Sequence, residues 1–297
     1  MMTKLLFTAC FLLLLLSGGA HHAVEARPHR ERSKDYMLFV FGDSFVDAGN
    51  LPRTSEKTAM SRSWFYPYGM SDSDHGNPKI LGGDESPPPS RQNQRDPSGV
   101  NFAVGGSGVF AGEAPSLRQQ VEQLASLVSR GVVEAGDLAE SVALVSVSAG
   151  HDYAGRITHG SSDSDMRALS SQVTDEIVGA VTRLRELAVS KLLVNLLPAL
   201  GCKPWQLEGL WQDVLVLDLN TAFTSEQHAA PPCCNNPDPN GYCGQEDPSG
   251  RPQYSVCADP DQAFFWDYIH PSQAGWELIM EQLEGPIEQF LGIQSSW

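Results

Sequence analysis

Residues 36–41, Tyr-Met-Leu-Phe-Val-Phe, are apolar at every position, and the run ends at Gly42-Asp43. A strand with one solvated face alternates polar and apolar residues. A run apolar on both faces belongs to a strand covered from both sides, as in a parallel sheet between two layers of helices. Residues 143–147, 191–197 and 214–219 repeat the pattern, and residues 100–104 give a shorter version. Between some of these runs the period becomes helical. Leu117, Val121, Leu124 and Val128 share one face of 116–130, and Val173, Ile177, Val181, Leu184 and Leu187 share one face of 172–189. Trp276, Ile279 and Leu283 lie on one side of a last helix over 273–290. Strands alternating with helices predict an α/β fold whose chemistry sits at the carboxyl ends of the strands.

The chain has 297 residues, 41% of them hydrophobic, which suits one large core better than two. The pattern predicts a signal peptide over 1–26, a basic mobile segment over 27–34 and a single domain over 35–297. Lys4 precedes an apolar run over 5–16, too short to span a bilayer as a mature helix, and Val24-Glu25-Ala26 fits a small-x-small cleavage site. No second run of spanning length follows, so the expectation is a secreted protein, extracellular or in the cell wall, without a membrane span. The net charge of −16 argues against nucleic acid or anionic lipid surfaces as partners. Cys10 leaves with the signal peptide. Of the remaining cysteines, Cys233, Cys234, Cys243 and Cys257 are expected to form disulfides in an oxidising compartment, with Cys233 and Cys234 each bonding elsewhere than to its neighbour. Cys202 makes the count odd.

Four motifs carry chemistry. In 41–50, FGDSFVDAGN, Ser44 lies just past the first strand, where Gly42 allows a tight turn. In 99–108, GVNFAVGGSG, a strand runs into glycines whose N–H groups can approach a substrate as oxyanion donors. In 145–153, VSVSAGHDY, His151 follows a buried strand and can donate into the same site. In 264–272, FFWDYIHPS, Asp267 and His270 sit three apart on one turn, so the carboxylate can fix the imidazole tautomer while the other ring nitrogen takes a serine proton. No G-x-S-x-G elbow is present, which disfavours an α/β-hydrolase arrangement.

In this order the blocks resemble the GDSL-type (SGNH) hydrolases, and in particular the secreted plant GDSL esterase/lipase family. WFYPYG, LVNLLPALGCKP and PPCCNN are similar to further landmarks of the plant members. The resemblance covers residues 37 to about 290. It implies a flavodoxin-like three-layer α/β/α sandwich with a parallel sheet. It also implies Ser44 as nucleophile, Asp267 and His270 as its relay, and an oxyanion hole from the Ser44 N–H and a glycine of the second block, Gly106 first and Gly105 second. His151 stands where the family usually has asparagine, which predicts a donor that depends on protonation. The implied substrate is a small-molecule, lipid or polysaccharide ester; the triad requires no cofactor and no metal.

The chain departs from the family pattern twice more. After Tyr68-Gly69 a polar, Gly/Pro-rich stretch runs through Pro97 with no amphipathic helix, and only residues 202–212 separate Leu200-Gly201 from the next strand-like run. A parallel crossover with its helix needs at least about 10–12 residues. These gaps predict a fold lacking one or two crossover helices, with sheet left thinly covered at roughly 25 cal/mol per Å². The competing expectation is therefore a catalytically weak or inactive secreted protein of the same fold with a binding role.

Overall fold

The computed structural model describes residues 36–68, 96–158, 160–195, 212–223, 231–238 and 240–292. The expected signal peptide and N-terminal segment, the polar stretch 69–95, Cys202 and nearly all of the 202–212 link lie outside these described residues.

The apolar runs become five strands: β1 (Met37–Gly42), β2 (Gly99–Asn101), β3 (Ser141–Ser146), β4 (Lys191–Asn195) and β5 (Val214–Leu217). They form one sheet in the order β2-β1-β3-β4-β5, every neighbouring pair parallel. This is the flavodoxin-like order, with the strand order reversing at β1 and β3. β1, β2 and β3 are buried along their whole length, and β4 at all but Lys191, as two-faced apolar strands require. β5, at the edge, is thinly covered: Val214, Leu215 and Val216 stay partly exposed and Leu217 alone is buried.

Strand parity divides the core. Phe39, Phe41, Phe102, Ala143, Val145, Leu192 and Val194 face one layer, containing α1 (Leu117–Ser129) and α4 (Asp163–Glu186). Leu38, Val40, Val142, Leu144, Leu193 and Leu217 face the other, containing α6 (Gln273–Leu291) through Trp276, Ile279, Leu283, Ile287 and Leu291. Three short helices, α2 (Ala135–Ala139), α3 (Gly150–Ala154) and α5 (Leu219–Phe223), complete the order. The result is a three-layer α/β/α sandwich.

Helix starts follow capping chemistry. Ser116 and Gln119 close a reciprocal box at α1, Ser162 and Asp165 do so at α4, and the Ser272 hydroxyl accepts from the Gly275 N–H at α6. The Ser162 box explains why α4 begins nine residues before the 172–189 helix expected from apolar spacing. In α1 the fourth buried apolar position is Leu127, while Val128 stays partly buried.

One polar residue interrupts the apolar stripe of α1. Gln120 is fully buried, and its amide closes a two-way bridge with the last residue of β1: the Gly42 N–H donates to Oε1 at 2.8 Å, and Nε2 donates to the Gly42 carbonyl at 2.8 Å. Gly42 cannot be replaced, since a Cβ there would lie 1.9 Å from the Ser146 carbonyl oxygen. Replacing Gln120 with leucine leaves the buried Gly42 N–H without an acceptor, whereas the Gly42 carbonyl keeps the Val104 N–H at 3.2 Å. Gln120→Leu is expected to lose about 1–3 kcal/mol in urea unfolding, the cost of one buried hydrogen-bonding group left unsatisfied. A loss below 1 kcal/mol would show that the bridge is dispensable.

Candidate active site

Ser44 lies two residues beyond β1, Gly105 and Gly106 in the loop after β2, and His151 in the first turn of α3 after β3. All four are therefore at the carboxyl edge of the sheet. Two buried carboxylates stitch these loops together. Asp43 accepts from the Phe45 N–H at 3.1 Å and from both the N–H and the hydroxyl of Ser148 at 2.6 Å each, tying the first loop to the third. Asp47 accepts from four backbone N–H groups: Gly49 at 2.8 Å, Asn50 at 2.6 Å, Leu51 at 3.0 Å and Gly105 at 2.7 Å, tying the first loop to the second. Asn50 donates to the carbonyls of Asn101 and Ala103, and Asn101 donates back to that of Val46. Burial pushes both carboxyls up; the hydrogen bonds to each oppose it.

The Asp47 contact distinguishes the two expected glycines. The Gly105 N–H donates to the Asp47 carboxylate. Among the described residues the N–H groups of Ser44 and Gly106 have no partner within the chain. Gly106 has φ +83°, a left-handed conformation that favours glycine, and a Cβ there would meet the Met60 sulfur at 2.8 Å. His151 is exposed, with no hydrogen bond to its ring among the described residues. Its neighbour Asp152 is buried and accepts from Val109 and Phe110, joining α3 to the glycine loop.

The fourth motif is the tip of a tight hairpin. Trp266 N–H donates to the His270 carbonyl at 2.8 Å, and Ser272 N–H to that of Phe264 at 2.8 Å. Asp267 Oδ1 accepts from the Ile269 and His270 N–H groups at 2.8 and 2.7 Å, an Asx-type turn that folds the carboxylate beneath its own histidine. His270 Nδ1 lies 3.0 and 2.9 Å from the two carboxylate oxygens, and His270 Nε2 lies 2.9 Å from Ser44 Oγ. Phe45 meets the imidazole edge-on, with ring centres 5.6 Å apart, which fixes its plane.

Asp267 is buried, which by itself raises its carboxyl. The charge and hydrogen bond of His270, the Arg62 guanidinium and the Tyr68 hydroxyl outweigh burial and hold it well below the usual carboxylate range. An ionised carboxylate only accepts, so Nδ1 carries the ring proton and Nε2 is free to accept from Ser44.

The hairpin is gripped by a small disulfide module. Cys233 bonds Cys257 and Cys234 bonds Cys243, so the adjacent cysteines do pair outward. Cys234–Asn235 (β6) pairs antiparallel with Ser255–Val256 (β7). The N–H groups of Cys233 and Cys234 donate to the carbonyls of Phe265 and Trp266, immediately before Asp267. The same module holds residues 57–68: Lys57 Nζ reaches the Gly244 carbonyl at 3.0 Å and Glu246 Oε1 at 2.6 Å.

A sheet of this order, carrying a Ser-His-Asp constellation across its carboxyl edge, defines an α/β protein of the SGNH hydrolase class. Residues 38–283 match the family described as GDSL-like Lipase/Acylhydrolase. A GDSL esterase/lipase of Arabidopsis thaliana is 30% identical over 335 aligned positions, covering 90% of this chain and 89% of the relative; a second is 27% identical over 331, covering 89% and 92%. Among solved structures, the lipase Lip_vut3 from a goat rumen metagenome aligns with a TM-score of 0.40 and 13% identity, over 84% of this chain and 96% of that one. The chain belongs to the GDSL-like lipase/acylhydrolase family, a family of ester hydrolases.

The depressed Asp267 carboxyl fixes a sign. Its contribution to stability is full above the unfolded carboxylate value of about 3.9 and is lost as pH falls below it toward the folded value. Asp43 and Asp47, raised by burial, act oppositely: they favour folding at low pH, and that part is lost as pH rises through their folded values. Comparison with Asp267→Asn isolates the first effect. In thermal melts from pH 7 to pH 3 the wild type's advantage over the variant is expected to shrink below about pH 4; a pH-independent difference would contradict the assignment.

Proposed function

We propose that the chain is a secreted serine hydrolase of carboxylic esters that acts through an acyl-enzyme on Ser44. The observation that carries this reading is the continuous contact from Ser44 Oγ through His270 to the ionised Asp267. His270 Nε2 takes the hydroxyl proton as Ser44 Oγ bonds to the ester carbonyl carbon. The oxygen of the tetrahedral intermediate is held by the N–H groups of Ser44 and Gly106, each worth about 3 kcal/mol. His151 at the rim supplies a further, protonation-dependent donor. Collapse breaks the ester C–O bond, and the alcohol leaves with the proton from His270. Water, deprotonated by the same imidazole, then releases the acid.

The exposed side chains of Met60, Tyr268 and Ile269 border the site and favour an ester with an apolar part, lipid or small-molecule, over a wholly polar one. The paired cysteines support an oxidising, extracellular or cell-wall location after removal of residues 1–26. Among the described residues no helix is long and apolar enough to cross a membrane.

A weakly active, shortened form of the same fold is the second reading. The 335 aligned positions of the first relative exceed the 297 residues of this chain, so the relative carries segments this chain lacks. The thin cover over β5 agrees with that. Purified mature protein is expected to turn over short-chain nitrophenyl esters, and Ser44→Ala to lose at least about a thousandfold in kcat. A fluorophosphonate probe should label the wild type and not the variant. Unlabelled, inactive protein that nonetheless melts cooperatively would favour the binding role.

A further inference from the structure

WFYPYG, residues 64–69, stands out in the sequence and has no part in the mechanism above. Its Tyr68 approaches the far side of the relay. The Tyr68 hydroxyl donates to Asp267 Oδ2 at 2.6 Å, and Arg62 Nε donates to the Tyr68 oxygen at 2.7 Å. Arg62 Nη2 lies 3.5 Å from the same carboxylate oxygen. The direction of each bond is forced. An ionised Asp267 cannot donate, so the phenol must, and a guanidinium cannot accept, so the phenol oxygen does. Burial and the Asp267 charge, against the opposing pull of Arg62, keep the phenol protonated far above its ordinary range, so it stays a donor at every working pH. Its ring is held edge-on by Trp266 at 6.1 Å and lies beneath the Arg62 guanidinium.

The two oxygens of Asp267 are thereby given different work. Oδ1 is fixed by the turn's own N–H groups, whereas Oδ2, the nearer to His270 Nδ1, depends on Tyr68 and Arg62 for its remaining contacts. We propose that Arg62 and Tyr68 are positioning residues of the catalytic relay, which extends as a directed chain from Arg62 through Tyr68, Asp267 and His270 to Ser44. This rests on Ser44 being the nucleophile. The pair also couples the relay to residues 57–68, so the segment after β1 and the hairpin before α6 meet on one carboxylate. The charged and titratable groups facing Asp267 are His270 from its own turn and Arg62 and Tyr68 from the other segment; the charge of His270 also acts on Asp43.

The test compares Tyr68→Phe, Arg62→Gln, Ser44→Ala and Tyr66→Phe in the full chain, with a nitrophenyl ester as substrate. Tyr66 is exposed in the same motif, and its change is expected to leave activity unaltered. Tyr68→Phe keeps the ring and removes only the donor. It is expected to lower kcat about tenfold or more, the size of one hydrogen bond to a charged group, with KM unchanged. Because Asp267 Oδ2 then loses a donor and turns more of its charge toward the imidazole, which must be unprotonated to act as base, the acid limb of kcat/KM should move to higher pH. Arg62→Gln should shift the same limb in the same direction. A merely structural clamp would change the melting temperature without moving the limb. Wild-type kcat and acid limb in a folded Tyr68→Phe overturn the proposal. Should Tyr68→Phe not fold, the same two readouts on Arg62→Gln decide it, an unshifted limb and unchanged kcat counting against. Residual activity in Ser44→Ala sinks the underlying mechanism instead; an inactive Ser44→Ala beside an unaffected Tyr68→Phe sinks the positioning role alone.

Discussion

A hydroxyl at residue 44 and an imidazole at residue 270 meet at 2.9 Å across 226 positions of chain, and every other contact at the site serves to keep them there. Neither partner sits on a regular element. Ser44 rides a loop beyond β1, and His270 rides a hairpin before α6. A hydrogen bond between two loops holds only if each is anchored to something stiffer. On the serine side the anchor is the sheet itself, with β1 between β2 and β3 and its last peptide clasped by Gln120. On the histidine side it is the disulfide module that grips Phe265 and Trp266.

The anchoring near Ser44 is polar, although apolar residues would fill the same volume at less desolvation cost. Asp43 and Asp47 are each 1% exposed, and burial works against both as anions. What they supply is direction. A carboxylate accepting four backbone N–H groups sets the path of a loop in a way that a methyl group cannot, and it leaves the loop few alternatives of similar energy. Asp47 also decides between the two adjacent glycines. It holds the Gly105 N–H, whereas Gly106, at φ +83°, has no partner for its N–H among the described residues.

Much of the fold was legible from strand runs apolar on both faces, because burial on two sides leaves an unambiguous mark in the sequence. The ordered motifs gave the candidate triad, since Asp-x-x-His on one turn permits little besides mutual contact. The supporting residues were harder to read. Gln120 sits at the i+3 position of an apolar stripe, and a polar residue there was a visible signal of a buried partner. Asp47 and Asn50 lie three and six residues past Ser44 within an apolar block, where a carboxylate must find donors. Arg62 and Tyr68 left no such mark. Their partner is about two hundred residues away, and nothing in the local spacing says which carboxylate a tyrosine will meet. The start of α4 was misplaced for a related reason: apolar period locates the buried face, whereas the Ser162–Asp165 box that begins the helix is exposed.

The thin cover at β5 and the long alignment gaps bear on stability more than on geometry. The hydrogen bonds that hold the site, among the described residues, come from β1, the loops after β2 and β3, α1, the 57–68 segment and the disulfide module, with β4 and β5 on the far side of β3; α5 after β5 adds the packing of Phe223 on Phe45, Phe264 and Phe265. Uncovering the β5 edge removes apolar burial there at roughly 25 cal/mol per Å², but it breaks none of the bonds that aim Ser44, His270 or Asp267. A chain shortened at that edge would lose stability first, and the geometry at Ser44 and His270 only when local opening near β5 spread through β4 and β3 to β1, or through Phe223 of α5 to Phe45 and the hairpin. The disulfide module bonds to the hairpin and to the 57–68 segment, so the Arg62–Tyr68–Asp267–His270 contacts have an anchor of their own, and the far sheet edge reaches them through the packing of Phe223 on Phe264 and Phe265.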